Sequence, residues 1–239
     1  MKTGIQRGFA PFKTLLPLPV WTRLRKVATA VSTPVLFTYW SGHFRSSLAE
    51  KALSRKGEPL PWYTYPCIDL LRFQDFNGKK VLEFGGGQST LWWAARADKV
   101  VTIETDSAWH AHLVKIMPAN VDLHFVSGEE SGAFLAAVKT VLEACVADSF
   151  DIIVIDAEYR GELVALSLEK LAHGGAIICD DAESYPFYEN SHHLDIQRVD
   201  FFGYSPGVVL PHCTSVMFRN ACFLFKADRR IPDVGVERD

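Results

Sequence analysis

The sequence predicts an α/β fold: a doubly wound, mostly parallel seven-stranded sheet with a C-terminal antiparallel hairpin. Three observations carry this. Between residues 79 and 181, short apolar runs alternate with segments of helical spacing. The first run ends in Gly85-Gly86-Gly87. The last two runs, beyond residue 195, have no long helix between them.

Taken in order, KKVLEFG (79–85) is a short apolar run closed by glycine, as buried parallel strands are. QSTLWWAARA (88–97) places Leu91, Ala94 and Ala95 on one helical face, and Trp92 and Trp93 are expected to pack it on the sheet. KVVTIET (99–105) is a second strand. SAWHAHLVKIM (107–117) reads as a helix with Ser107 as N-cap and Pro118 beyond its end. VDLHFVSG (121–128) alternates as a third strand, and SGAFLAAVKTVLEACV (131–146) is a long helix. FDIIVIDA (150–157) is the most β-like run. GELVALSLEKLAHGG (161–175) reads as a helix stopped by glycine, and AIICDD (176–181) as a fifth strand. Strands joined by helices require right-handed crossovers. IQRVDFFGYSPG (196–207) and TSVMFRNACFLFKA (214–227) make the hairpin, with one strand antiparallel at the sheet edge.

A chain of 239 residues fits one domain with an appendage. The division falls into a basic N-terminal arm with a helical lead-in over 1–58 and a catalytic-type domain over 59–239. No acidic residue precedes Glu50, whereas Lys2, Arg7, Lys13, Arg23, Arg25, Lys26 and Arg45 are basic. Of 25 basic residues, 18 therefore face 28 acidic ones in the remainder, a net −10. An acidic body argues against nucleic acid as partner. Five cysteines with no C-x-x-C pair read as reduced thiols of a cytoplasmic protein, not as a disulfide framework. The segment VATAVSTPVLFTYW (27–40) is too short to span a membrane and contains Pro34. The acid-free start also has the composition of a transit peptide, but Pro11, Pro17, Pro19 and Pro34 oppose the single amphipathic helix such peptides need. The arm is expected to pack on the domain or to make a peripheral contact with an anionic membrane surface.

Open α/β sheets bind ligands beyond the carboxyl ends of their strands, so the residues standing there are the functional candidates. After the first strand comes Glu83-Phe84-Gly85-Gly86-Gly87-Gln88-Ser89-Thr90. Glycine lets backbone turn sharply and approach a ligand closely. A dinucleotide fingerprint would need glycine where Thr90 stands, and no G-K-[ST] follows to make a phosphate loop. A carboxylate at Glu83 suits a ligand with a cationic amine. Glu104 ends the second strand, 19 residues after Gly85, with Thr105 next to it. Its two oxygens match the vicinal hydroxyls of a ribose. Gly128-Glu129 follow the third strand, Asp156 the fourth and Asp180-Asp181 the fifth.

VLEFGGGQSTLWWA resembles motif I of class I S-adenosylmethionine-dependent methyltransferases, and the succession Glu104, Gly128, Asp156 is similar to their later motifs. VIDAEYRGE and the lead-in PLPWYTYPCIDLL (59–71) resemble a group of small bacterial methyltransferases. The resemblance covers roughly residues 79–227 and implies a Rossmann-like fold that binds S-adenosylmethionine. It implies Glu83, Gly85, Gly86, Gly87 and Ser89 at the methionine part, Glu104 and Thr105 at the ribose and Gly128-Glu129 at the adenine edge. An acceptor hydroxyl or amine needs a base for its proton, and Asp156, also expected at the cofactor, is the first candidate, with Asp180 as its catalytic neighbour. A second likeness, to catechol and caffeoyl-coenzyme A O-methyltransferases, would place a magnesium ion on Asp156, Asp180 and Asp181. That family's catalytic lysine falls on Tyr159 here, so no metal ligand is assigned.

The expected acceptor is a hydroxyl or amine of a small molecule, its pocket formed by residues 59–66, the loop after Asp181 and the 203–214 hairpin. Trp62, Tyr63 and Tyr65 either roof that pocket or pack the core. Two rivals share the fold. An aminopropyltransferase of the spermidine synthase type has an acid soon after its glycines, where this chain has Gln88-Ser89. A non-catalytic scaffold would keep the cofactor site alone. A homo-oligomer is compatible with either.

Overall fold

The computed structural model describes residues 16–128, 131–147, 149–185 and 194–226. Glu129 lies outside them. Among the described residues the lead-in forms helices α1 (Leu18–Trp40), α2 (His43–Ala49) and α3 (Tyr65–Arg72). The alternating body follows as β1 (Lys80–Phe84), α4 (Gln88–Ala94), β2 (Lys99–Glu104), α5 (Ser107–Leu113) and β3 (Val121–Phe125). It continues with α6 (Ser131–Glu143), β4 (Phe150–Ile155), α7 (Arg160–Ser167) and β5 (Leu171–Cys179). The chain closes on the hairpin β6 (Gln197–Gly203) and β7 (His212–Phe218).

The seven strands run in the order β3-β2-β1-β4-β5-β7-β6. The first five are parallel, β7 lies antiparallel to β5, and β6 forms the edge antiparallel to β7. Because strand side chains alternate, the sheet carries two cores. Val81, Val100, Ile152, Val154, Ala176, Ile178 and Val216 join one face with Trp92 and Trp93. Leu82, Phe84, Val101, Ile103, Ile153, Ile155 and Ile177 join the other with Phe134 and Leu163. Fully burying each large apolar chain is worth about 1.5–3 kcal/mol, so this double layer fixes the strand register.

Several local expectations are corrected. The N-cap of α5 is Asp106, whose carboxylate accepts from the Trp109 amide, and Ser107 is the first helical residue. The segment 161–175 is not one helix: α7 stops at Ser167, and Leu171 to Gly175 already belong to β5. Leu171 pairs with Phe150, and a side chain on Gly175 would collide with the Asp151 carbonyl, so pairing with β4 overrides helical spacing. The prolines of the lead-in do not prevent a helix. Pro17 caps α1 and Pro19 occupies its first turn, where the missing N–H is no loss. Pro34 is carried inside α1, and the Thr38 hydroxyl donates to its carbonyl at 2.6 Å. No helix among the described residues is long and apolar enough to cross a membrane. The cysteines are free, with Cys67, Cys179 and Cys213 buried.

Candidate active site

The parallel ladders run one residue past the strand ends, which sets the glycine loop and the acids in register. Gly85 N–H donates to Ile103 O, Asp156 N–H to Phe84 O, and Asp180 N–H to Ile155 O. Gly85 has φ +88°, and a side chain on it would collide with the Asp156 carbonyl, so only glycine closes this contact. Gly86 is pressed against Leu113 and Thr102. Gly87 differs: no protein atom stands within 4 Å of where its Cβ would be. Gly85 and Gly86 are thus demanded by the fold, whereas the space above Gly87 is open.

Glu83 is fully buried beneath this loop. Register pairs it with Thr102 across β1 and β2. The Thr90 hydroxyl donates to its Oε2 at 2.5 Å and the Thr102 hydroxyl at 3.2 Å, while Gly87 N–H donates to Thr90 at 2.9 Å. The carboxyl therefore braces the loop through Thr90. Burial pushes its pKa up to about 7, against the opposing pull of the Ser89, Thr90 and Thr102 hydroxyls. Its second oxygen, Oε1, is buried without a hydrogen-bond partner among the described residues.

Glu104 is committed to backbone. Its Oε2 accepts from Gly86 N–H at 2.9 Å, and its Oε1 from Thr105 and Asp106 N–H at 2.7 and 2.8 Å. A carboxylate offers about four acceptor positions, so one remains on Oε2 for a ligand hydroxyl. Gly128 packs on Thr105, where a Cβ would approach the threonine Cβ to 3.1 Å. Trp109, which sequence reasoning treated only as part of a helix, covers the loop. Its indole N–H donates to Gly86 O at 2.8 Å and its ring stacks on His112. No local pattern marks that contact, which joins residues 23 apart.

Beside the loop lies a cavity of about 190 Å³, walled by Asp156, Asp180 and Asp181 at the strand ends and by Trp62, Ser205, Val208 and His212 opposite. Of the segments expected to form the acceptor pocket, 59–66 contributes Trp62 and the 203–214 hairpin contributes Ser205, Val208 and His212, whereas among the described residues the loop after Asp181 contributes none. Of the aromatic cluster, Tyr63 and Tyr65 are buried in the core, and Trp62 alone lines the cavity, with its indole N–H on Pro206 O. A larger cavity of about 500 Å³ opens at the amino ends of β1, β2 and β4 against α6, away from the loop and the acids. The fold places ligand chemistry at the carboxyl ends, which favours the smaller cavity.

Within it, the acids are unequal. Asp156 does not cap α7, whose N-cap is Tyr159. Its Oδ1 pairs with Arg160 Nη2 at 2.5 Å, and the buried Arg160 lies over the Tyr185 ring. Burial raises the Asp156 pKa, Arg160 pulls it down, and the charges of Asp181 and Glu104 raise it further. Asp180 is buried and accepts from the Thr214 hydroxyl at 2.8 Å. Burial pushes its pKa well up, reinforced by Asp156 and Asp181 and opposed by Thr214 and Arg160. Asp181 and Tyr159 both adopt left-handed backbone, with φ +48° and +57°, a strained conformation for such residues.

His212 was not foreseen. Its Nδ1 lies 3.0 Å from Asp181 Oδ1 and 3.1 Å from Glu183 Oε1. Glu183 is itself held by the Cys213 amide at 2.8 Å. The other ring nitrogen, Nε2, is buried without a hydrogen-bond partner among the described residues. A histidine clamped at one nitrogen and free at the other is the arrangement of a general base. Asp181, Glu183 and His212 also bring ligand atoms within 4.8 Å of one another, a set able to hold a divalent ion. Among the described residues, that set replaces the trio Asp156, Asp180 and Asp181 suggested by likeness, because Asp156 turns to Arg160 and Asp180 to Thr214.

No family model and no curated protein matches the chain. Among solved structures it is similar to an O-methyltransferase from Bacillus cereus in complex with SAH, at 17% identity over 84% of this chain and 99% of that one, TM-score 0.46. It is similar to a methyltransferase from Geobacter sulfurreducens, at 15% identity over 89% and 96%, TM-score 0.47. Spermidine synthase from Thermotoga maritima is similar over 62% of this chain and 55% of that one, at 14% identity and TM-score 0.43. These are likenesses of fold. The strand order itself, five parallel strands closed by the antiparallel β7 and β6, is a Rossmann-like doubly wound α/β fold with a C-terminal antiparallel hairpin.

Proposed function

We propose that this chain transfers a methyl group from S-adenosylmethionine to a hydroxyl or amine of a small molecule. The observation that carries the reading is the junction at Asp156. Its carbonyl packs against Gly85 of the open glycine loop, and the residue also walls the acid-lined cavity. A donor bound over Gly87 would meet an acceptor in that cavity at one residue.

Gly87, Ser89 and the remaining acceptor position of Glu104 hold the cofactor, with Trp109 covering the loop. S-adenosylmethionine supplies a methyl group already activated on a sulfonium, so the chain's own task is alignment, exclusion of water and removal of one proton. As the methyl passes to the acceptor oxygen or nitrogen, that atom's proton goes to His212 Nε2. Asp181 and Glu183 keep the imidazole oriented and stabilise its positive charge. Asp180, favoured in its neutral form, donates a hydrogen bond to the acceptor. Asp156, neutralised by Arg160, shapes the junction.

The test is calorimetric titration with S-adenosylmethionine, S-adenosylhomocysteine and NAD, followed by assay of S-adenosylhomocysteine release in a metabolite extract. Micromolar binding of the two adenosyl ligands, weakened in Glu104→Ala, with extract-dependent turnover, supports the reading. Binding of NAD alone, or of no ligand, overturns it. Binding without turnover would leave a scaffold, and turnover only with decarboxylated S-adenosylmethionine would identify an aminopropyltransferase.

A further inference from the structure

The helix α1 has 23 residues, none of them buried. Val20, Leu24, Val27, Val31 and Val35 recur at spacings of three and four, so they form one stripe along the helix. Leu24, Val27, Val31 and Val35 are each more than half exposed, at 51, 62, 64 and 64%. At about 100° per residue, Arg23 borders this stripe and Arg25 stands on the flank, roughly 120° from its centre. Thr22, Thr29 and Thr33 stand on the opposite face, their hydroxyls returned to the helix's own carbonyls.

The stripe does not pack on the domain. The helix reaches the body near its end, through Phe37 against Tyr65 at 5.4 Å and Trp40 beneath Arg55 at 4.4 Å. Both positions are roughly 120° or more away from the stripe's centre around the helix. A second apolar group is exposed where α2 meets the hairpin loop. Gly207 N–H donates to His43 Nδ1 at 3.3 Å, and Gly207 packs against Ser46 and Ser47. Around that contact Phe44, Leu48, Val209 and Leu210 are 60–83% exposed, next to Val208 of the cavity wall.

We infer that α1 lies in the plane of an anionic lipid surface, with the Val20–Val35 stripe in the acyl boundary and Arg23 and Arg25 reaching lipid headgroups from its flanks. Charge decides between occupants. The first 49 residues hold seven basic side chains and no acid. A second copy would bring an equally positive segment against the first, and Pro34 interrupts the line a helical seam would use. An anionic bilayer offers both the apolar layer and the opposite charge. The helix rests on the membrane and does not cross it, in keeping with its hydropathy.

The experiment is co-sedimentation of the full chain with vesicles of phosphatidylcholine alone and of phosphatidylcholine with a third phosphatidylglycerol, at low and high salt. Mixed vesicles should bind at least about tenfold more tightly, and salt should weaken binding. Val27→Glu/Val31→Glu and Arg23→Glu/Arg25→Glu should each reduce binding by about tenfold or more, with circular dichroism of the domain unchanged. These positions are exposed, so the variants keep the fold. Equal binding to both vesicle types, no binding, or undiminished binding by both variants overturns the inference. So does a dimer in sedimentation velocity that Val27→Glu/Val31→Glu dissolves while the parent chain ignores vesicles. None of these outcomes depends on the methyl-transfer reading.

Discussion

His212 Nδ1 is held 3.0 Å from Asp181 Oδ1, while Nε2 of the same ring is buried and unpartnered among the described residues. In the proposed reaction this ring, which walls the cavity, is the base, and Asp181 supplies the counter-charge for its protonated form. His212→Asn is therefore expected to lower turnover by about 10²- to 10⁴-fold. Affinity for S-adenosylhomocysteine, measured by calorimetry, should stay unchanged because the glycine loop is untouched. Turnover should also survive EDTA, since the proton is taken by the imidazole. Abolition by EDTA with recovery on adding a divalent ion would assign the same three side chains to a metal.

Gly85 and Gly87, separated only by Gly86, are expected to behave oppositely. Gly85→Ala forces a side chain into the Asp156 carbonyl at φ +88°, and should cost more than about 2 kcal/mol in chemical denaturation. Gly87→Ala enters open space. It should leave stability within about 0.5 kcal/mol and weaken cofactor binding. Equal cofactor affinity in Gly87→Ala and the parent would remove the loop from the cofactor site.

Glu83 makes stability depend on pH. Its value rises from 4.5 to about 7 on folding because the buried charged form is penalised. Its contribution is therefore fully present below pH 4.5 and is lost as pH climbs through 7. Glu83→Gln does not titrate. From pH 5 to pH 8 the variant should gain about 2 kcal/mol on the parent, read as the change in their difference in urea midpoints. A difference independent of pH would mean that Glu83 is not the titrating group.

Arg160→Met strands the Asp156 carboxylate beside Asp180 and Asp181. With the aspartate partly solvated, the expected loss is about 2–3 kcal/mol, near the lower end for a broken buried pair. Asp156→Asn in the same chain should restore part of it. Additive losses in the double-mutant cycle would show that the two side chains act independently.

Much of this arrangement was legible in the sequence because it rests on local chemistry. Alternating apolar runs announced five parallel strands, and glycines after the first strand announced a turn close to a neighbour. Acids at residues 104, 156 and 180 were placed by the strand ends they follow. The segment 171–175 was misread for the converse reason: its helical spacing is local, but its pairing with β4 is not. For Glu83 the sequence could not show that register sets Thr102 beside its carboxylate and Thr90 above it.

The sequence by itself determined the order of the elements, the glycine loop and the row of acids, since periodicity and backbone preference act within a few residues. Tertiary structure alone decided which acid pairs with Arg160, which glycine is open and which histidine stands beside the acids. His212 meets Asp181 and Glu183 from about 30 residues away because β7 runs antiparallel beside β5. Such a meeting is set by strand pairing and by the packing of two apolar faces, and neither is written in the residues flanking the histidine.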